Sequence, residues 1–370
     1  MTLEQNIKEM LLEGGAQQVG FATKETMTGG PTGADITYLL PEAQSAISFY
    51  IPFDKERILK YLGKEDPSIR GIHEEENMEI HYIIWKAAQR VKHWLIEQGY
   101  KAMSVIPNNH YRTDVPGWQV TLPPELSLRY LAVRTGVASF GWSGNVGTKE
   151  HGTAIILGGI VTDAKLEPTD PIPANESFCD ECKICTKVCA YQMFSPTEET
   201  AVTIGGYTFN YSKRMNKMRC FLTCGGSNGL HASGKFSTWS PGRYDYPEND
   251  IEVSRLLSLA LTSQKRRPPI KDSSSGYQPA SYGGKGTVQL TCGNCQYVCA
   301  GNTKETAQRY KMLVNSGCVV QNEDGSLEVF PPDKAKEVFE SMPIKRQRLY
   351  HKNYKTKMRK SSERIKTINS

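Results

Sequence analysis

Four cysteines packed into eleven residues constrain this chain more than any other feature. In "FCDECKICTKVCAYQMF" they stand at C-x2-C-x2-C-x3-C, as Cys179, Cys182, Cys185 and Cys189. This is the bacterial ferredoxin run, in which three thiolates hold one [4Fe–4S] cube and the fourth ligates a second cube. Structural zinc uses two C-x2-C pairs separated by a longer loop, so the crowded spacing favours iron and sulfide.

A second group follows about a hundred residues later in "TCGNCQYVCAGN", as Cys292, Cys295 and Cys299. If the ferredoxin exchange operates, Cys299 closes the first cube with Cys179, Cys182 and Cys185. The second cube then has Cys189, Cys292 and Cys295 and lacks one ligand, which Cys220 or Cys224 of "MRCFLTCGG" must supply. Ala190 and Ala300 stand where proline usually follows the last cysteine. Proline only shapes that turn, so the clusters are expected to survive its absence.

The compartment decides how ten cysteines are read. No apolar run approaches the roughly 20 residues of a membrane helix, and the N-terminal "MTLEQNIKEMLLEGG" is an amphipathic helix pattern without a basic n-region or an apolar core. The expectation is a cytoplasmic protein, where clustered cysteines indicate metal or redox chemistry rather than disulfides. At 370 residues, 38% hydrophobic and 23% charged, the chain can bury a sizeable core as one large domain with an insertion or as two modest domains.

Periodicity gives the organisation. Helices are expected over residues 1–15, over the long stretch "NMEIHYIIWKAAQRVKHWLIEQGY", in "LSLRYLAVRTG", and at 303–316 and 332–342; strands are expected in "QQVGFAT", "SAISFYIPF", "KAMSVIP" and "TAIILGGIVTDAKL". Alternating strands and helices to residue 165 indicate a mixed α/β domain. The expected division is residues 1–170 as an α/β domain, with part of 200–290 packing back on it. Residues 171–305 form a ferredoxin-like double-cluster module interrupted by an insertion at 191–291, and 306–370 hold C-terminal helices and a basic tail. "SSSGYQPASYGGKG" reads as a loop. From Ile344 to Ser370 the chain carries ten Lys/Arg against one acid, while the other 343 residues hold 35 basic and 38 acidic groups. The +6 net charge is thus a property of the tail, which is either a solvated terminal helix or a contact for RNA, a membrane or an acidic partner.

The separation of the cysteine groups goes with a specific resemblance. "LAVRTGVASFG", "GGIVTDAKLEP", "MRCFLT" and "CGNCQYVCAGN", with "LLPEAQSAISFYIPF" as a weaker match, resemble in the same order the cobalamin-dependent iron–sulfur reductases, the family of epoxyqueuosine reductase and the reductive dehalogenases. The resemblance spans roughly residues 10 to 305. It implies an α/β (α+β) fold in which a nitroreductase-like cobalamin-binding domain carries a ferredoxin-like module with two [4Fe–4S] clusters, and it makes Cys220 the missing ligand and Cys224 a free thiol. It also implies a base-off corrinoid without a protein ligand to cobalt; the D-x-H-x-x-G run that would replace the lower base is missing. Phe140, Gly141, Trp142, Ser143, Gly144, Leu222 and Thr223 are the corrinoid contacts it suggests. Glycines in the "GWSGN" turn would let backbone amides approach a bulky cofactor, although an ordinary helix-to-strand turn would look the same.

Cobalt in a low oxidation state would carry the hard chemistry, leaving the protein to deliver electrons and a proton. The acid that epoxyqueuosine reductases place in a D-x-x-P-x-x-E run is missing, since "VTLPPELSL" has Val120 or Thr121 at that position. "NNHYRTD" offers Tyr111 beside Arg112, where a cation would stabilise the phenolate left after proton transfer. Glu125 is the second candidate; its bland role is first-turn charge on the following helix. The expected function is a cobalamin-dependent reductase acting on a small organic, halogenated or modified-nucleoside substrate, with a low-potential donor of ferredoxin or flavodoxin type. The alternative is an electron-transfer protein that reduces another protein's corrinoid. A nucleic-acid-binding protein with structural clusters is a third class, supported by the tail alone.

Overall fold

The computed structural model describes residues 2–105, 107, 110–276 and 288–351. The Ser/Gly-rich loop beyond Gly276 and the basic tail beyond His351 lie outside the described residues. In chain order the elements are α1 (Leu3–Glu13), β1 (Gln18–Thr23), β2 (Ser45–Pro52), α2 (Lys55–Gly63), α3 (Ile69–Glu97), β3 (Ala102–Val105), α4 (Trp118–Thr121), α5 (Leu128–Arg134), β4 (Ser139–Phe140), β5 (Val146–Gly147) and β6 (Ile155–Thr162). Then come α6 (Ile184–Lys187), β7 (Phe194–Ile204), β8 (Tyr207–Arg214), α7 (Met218–Cys224), α8 (Asp250–Gln264), α9 (Asn294–Tyr297), α10 (Thr303–Val314), β9 (Cys318–Gln321), β10 (Leu327–Phe330), α11 (Pro332–Ser341) and α12 (Ile344–Tyr350).

A four-stranded sheet of order β1-β2-β6-β3 forms the centre. All its pairings are antiparallel, so the fold is mixed α+β, and the alternation of helices and strands does not signify parallel crossovers here. β2 is buried along almost its whole length, which explains its near-continuous apolar run. Its Ile47, Phe49 and Ile51 join the core under α1 and α3, while Ala46 and Tyr50 join the core under α5, the period-two alternation of a strand covered on both faces. A Cβ on Gly158 of β6 would meet the Phe49 ring at 2.3 Å, and one on Gly159 would meet Leu128 at 2.5 Å. Glycine is needed there because the ring of the cross-strand partner Phe49 lies over Gly158 and Leu128 of α5 presses on Gly159.

α3 is 29 residues long and begins eight residues before the expected start. Its C-terminal half packs Ile80, Ile84, Ala87, Ala88, Val91 and Leu95 into the core. The N-terminal half buries Arg70, His73, Glu74, Glu76 and Asn77, a polar face that periodicity of apolar residues could not register. The Arg70 guanidinium pairs with Asp272 and lies 2.9 Å from Glu74. Glu74 accepts from the Leu290 N–H at 2.7 Å, and Arg70 donates to the Leu290 carbonyl at 3.0 Å. This buried network fixes the strand of chain that leads into Cys292.

The segment between the cysteine groups holds three elements that lacked a sequence signal: the β7–β8 hairpin, α7 and α8. The hairpin packs Val202, Ile204, Phe209 and Tyr211 against the core of α5 and Phe140. At its tip, Gly205 N–H donates to the Thr28 carbonyl at 2.8 Å. α12, expected as the start of a charged tail, is packed instead: Tyr350 is buried and donates to Gln321 Oε1 at 2.9 Å.

Candidate functional site

The first cysteine loop turns sharply because Glu181 and Lys183 adopt left-handed backbone at φ 55° and 56°, with Gln192 at 49° after Cys189. Non-glycine residues rarely hold this conformation, and here it directs successive N–H groups inward, as in an anion-binding nest. Cys179 Sγ accepts from Trp142 N–H at 3.2 Å and from Glu181 N–H. Cys182 accepts from Ile184 N–H, Cys185 from Ser143 N–H and Cys299 from Gly301 N–H. Cys179, Cys182, Cys185 and Cys299 line one cavity of about 390 Å³, open solvent included, together with Trp142, Phe178 and Thr306.

The other four cysteines form a second neighbourhood. Cys189, Cys220, Cys292 and Cys295 lie close enough to interact electrostatically with one another. Cys189 Sγ accepts from Met193 N–H at 3.3 Å, and Cys295 Sγ from Asn145 Nδ2 at 3.6 Å. Cys292 accepts from the Gly293 and Asn294 N–H groups. Cys224 lies one helical turn from Cys220 and is hydrogen-bonded to it.

Burial pushes Cys185 and Cys292 up to about 12, and Cys189 and Cys299 up to about 11, away from the thiolate form. Cys220 is raised well above the ordinary thiol range by its bond to Cys224 and then by burial. N–H donors aimed at sulfur favour the thiolate, whereas burial opposes it. An iron–sulfur core resolves the conflict, because bound iron supplies the positive charge that keeps a coordinating thiol deprotonated. The donor set therefore fits two clusters. Among the described residues no trio of Cys, His, Asp or Glu is arranged to hold a single metal ion; a cube is larger and ligates each thiolate at a separate corner.

The turn from Gly141 to Asn145 lies between the two neighbourhoods. Gly144, at φ 70°, leaves no room for a side chain: a Cβ would meet Tyr211 at 2.7 Å and Arg214 at 3.1 Å. Trp142 is buried, donates through Nε1 to the Ser195 carbonyl at 3.0 Å, and carries Lys183 Nζ 3.7 Å above its ring. Arg129 donates to the Gly144 carbonyl at 2.6 Å; Arg214 donates to the Ser143 carbonyl at 3.0 Å and to Asn145 Oδ1 at 3.2 Å.

All seven residues suggested as corrinoid contacts, Phe140, Gly141, Trp142, Ser143, Gly144, Leu222 and Thr223, are buried against protein. Leu222 has no exposure, and Thr223 hydrogen-bonds the Cys220 carbonyl at 2.9 Å. As packed, Gly141, Trp142 and Ser143 line the cavity of the first cysteine group, Phe140 lies against Tyr211 of the hairpin, and Leu222 packs with Tyr191, Tyr244 and the apolar face of α8.

Tyr111 and Glu125 are brought together by a short antiparallel pairing: Tyr111 bridges Pro124, and Glu125 N–H donates to the His110 carbonyl at 3.4 Å. Arg112 points elsewhere. Its fork grips Asp114 at 2.9 and 2.7 Å, NH1 donates to the Thr32 carbonyl at 2.9 Å, and the guanidinium stacks 3.8 Å from the Tyr38 ring centre. Lys217 Nζ, donating to the Thr121 carbonyl at 2.6 Å, ties this loop to the helix of Cys220. Arg129, Arg214 and Lys217 escaped the sequence reading, since isolated cations carry no spacing signal.

No family model matches the chain. It is 25% identical over 174 residues to an epoxyqueuosine reductase of Atelocyanobacterium thalassa, covering 46% of this chain and 49% of that protein. The chain thus spans about half the length of the curated relative it matches. Among solved structures, an epoxyqueuosine reductase from Streptococcus thermophilus aligns at 15% identity and TM-score 0.37 over 56% of each chain. A catabolic reductive dehalogenase in complex with 3-bromo-4-hydroxybenzoic acid aligns at 14% identity and TM-score 0.46, over 93% of this chain and 37% of that one. The sequence comparison therefore meets the resemblance read from the cysteine motifs: over the stretch they share, this chain is similar to epoxyqueuosine reductase.

Proposed function

We propose that this protein is an iron–sulfur oxidoreductase that moves single electrons through two [4Fe–4S] clusters, one held by Cys179, Cys182, Cys185 and Cys299 and the other by Cys189, Cys220, Cys292 and Cys295. The observation that carries the proposal is the sorting of eight cysteines into two neighbourhoods joined by one turn, each with backbone donors aimed at its sulfurs. The first takes electrons from a low-potential donor of ferredoxin or flavodoxin type, and the second delivers them.

The family resemblance names cobalamin as the acceptor. The burial of Phe140 to Gly144, Leu222 and Thr223 favours the reading in which the corrinoid belongs to another protein and this chain reduces it. In a reductase with its own substrate, the proton donor would be Tyr111 or Glu125, which lie on neighbouring strands of one short antiparallel pairing. Arg112, engaged with Asp114, holds their loop in place. A nucleic-acid substrate is supported by similarity to epoxyqueuosine reductase, one solved structure of which is bound to a tRNA stem loop.

Anaerobic purification or reconstitution followed by iron, sulfide and cobalt analysis tests the proposal. About eight iron and eight sulfide per chain are expected, with cobalamin lost on gel filtration. Cobalamin retained in one-to-one ratio would make this chain a corrinoid enzyme, and Tyr111→Phe would then lower its turnover by about 100-fold if Tyr111 is the general acid.

A further inference from the structure

The geometry points to Arg214 and Asn145 as a dyad that raises the reduction potential of the second cluster through the sulfur of Cys295. This rests on the two-cluster reading above. Asn145 is placed between them: Oδ1 accepts from Arg214 at 3.2 Å, and Nδ2 donates to Cys295 Sγ at 3.6 Å. The guanidinium polarises the amide, which makes its N–H a stronger donor to sulfur. Hydrogen bonds to ligand sulfur and nearby positive charge both stabilise the more negative, reduced cluster, and so raise its potential.

The surroundings favour this role over a structural ion pair. Arg214 has no carboxylate within ion-pair distance among the described residues. Its other strong bond is to the Ser143 carbonyl, and Arg129 and Lys217 lie close enough to repel it. Three cations gathered without an acid are costly unless something nearby is negative. A four-thiolate [4Fe–4S] centre, with net charge of about −2 that becomes about −3 on reduction, supplies that charge. The dyad touches only the second neighbourhood, while the first receives Trp142 and Ser143 N–H groups from the same turn. The two clusters are thereby set at different potentials from one loop, and Arg214 is a positioning residue acting through Asn145.

The test is a potentiometric titration of the anaerobically purified full chain, monitored by electron paramagnetic resonance. Titanium(III) citrate serves as one-electron reductant, each titanium(III) giving one electron to one cluster as it becomes titanium(IV). The second-cluster signal is assigned by its loss in Cys189→Ala. In Arg214→Gln and Asn145→Ala, its reduced-to-oxidised ratio at the wild-type midpoint should fall about tenfold, equal to a 59 mV shift of a one-electron couple. The first signal should stay in place, and Arg214→Lys should recover part of the shift. Unchanged second-cluster potentials in both variants at full iron content would overturn the dyad alone. Loss of second-cluster iron from both variants would also overturn it, since the pair would then be structural. A wild type without iron would instead overturn the two-cluster reading itself.

Discussion

Asn145 reaches Cys295 Sγ at 3.6 Å from a turn whose Trp142 N–H lies 3.2 Å from Cys179 Sγ. Five consecutive residues thus touch both cysteine neighbourhoods, and the α+β domain enters the cluster region as a wedge. The shape of this turn is fixed by Gly144 and by the carbonyl bonds of Arg129 and Arg214.

The ligand assignment separates two neighbouring cysteines. Cys220 interacts with Cys292 and Cys295, whereas Cys224 contacts it from the next turn of α7. Cys220→Ser should reduce bound iron from about eight to about four per chain, while Cys224→Ala should leave it near eight. Equal loss in both variants, measured by iron and sulfide assay, would contradict the assignment.

Arg70 pairs with both Glu74 and Asp272 in a buried network that holds the approach to Cys292. Removing one partner of such a network strands the others, at a cost of about 3–5 kcal/mol. Arg70→Leu should therefore lower the thermal midpoint markedly and release iron from the second cluster before the first. A variant with wild-type stability would show that the network is dispensable.

Lys64 ends α2 in left-handed backbone at φ 53°, is buried, and donates to Ser316 Oγ at 2.6 Å. Burial lowers it from 10.5 to about 7. Between these values the unfolded chain holds a proton that the folded chain has released, so stability rises with pH across that window, at up to about 1.4 kcal/mol per pH unit. Below about 7 both states are protonated and the burial penalty is felt in full. Denaturation of wild type and Lys64→Met at pH 7, 8 and 9 should show the slope in the former and a flatter line in the latter; parallel lines would exclude the buried ammonium as its source.

The C-terminal charge divides into a packed part and a remainder. Tyr350 is buried, its backbone carbonyl accepts from Arg243 N–H at 2.6 Å, and Arg267 Nε donates to the Leu349 carbonyl at 3.0 Å. Truncation after Met342 empties this socket and should destabilise by about 3–5 kcal/mol, the scale of deleting a buried aromatic side chain. Tyr350→Ala in the full chain should cost a comparable amount. An unchanged thermal midpoint in both variants would contradict the packing of α12.

Much of this was legible from spacing. The cysteine motifs, β1, β2, β6 and the apolar half of α3 follow from local periodicity, which burial imposes directly. The N-terminal half of α3 was not legible, because Arg70, Glu74 and Asp272 stabilise one another across about two hundred residues. The β7–β8 hairpin escaped because its outer face is polar and exposed. The turn at Gly141 to Asn145 was recognisable as special from its glycines, and the fold buries it between the two groups of thiols. The bonds of the Arg112 fork to Asp114 were not legible either, since both residues sit in an irregular loop with no periodicity.

The central claim is that the eight cysteines hold two cubes. Iron, acid-labile sulfide and zinc determined on anaerobically purified wild type, with electron paramagnetic resonance of the dithionite-reduced protein, test it most directly. The account predicts about eight iron, about eight sulfide, negligible zinc and two fast-relaxing cluster signals that disturb each other. Zinc in place of iron, or a single signal with about four iron per chain, would contradict it.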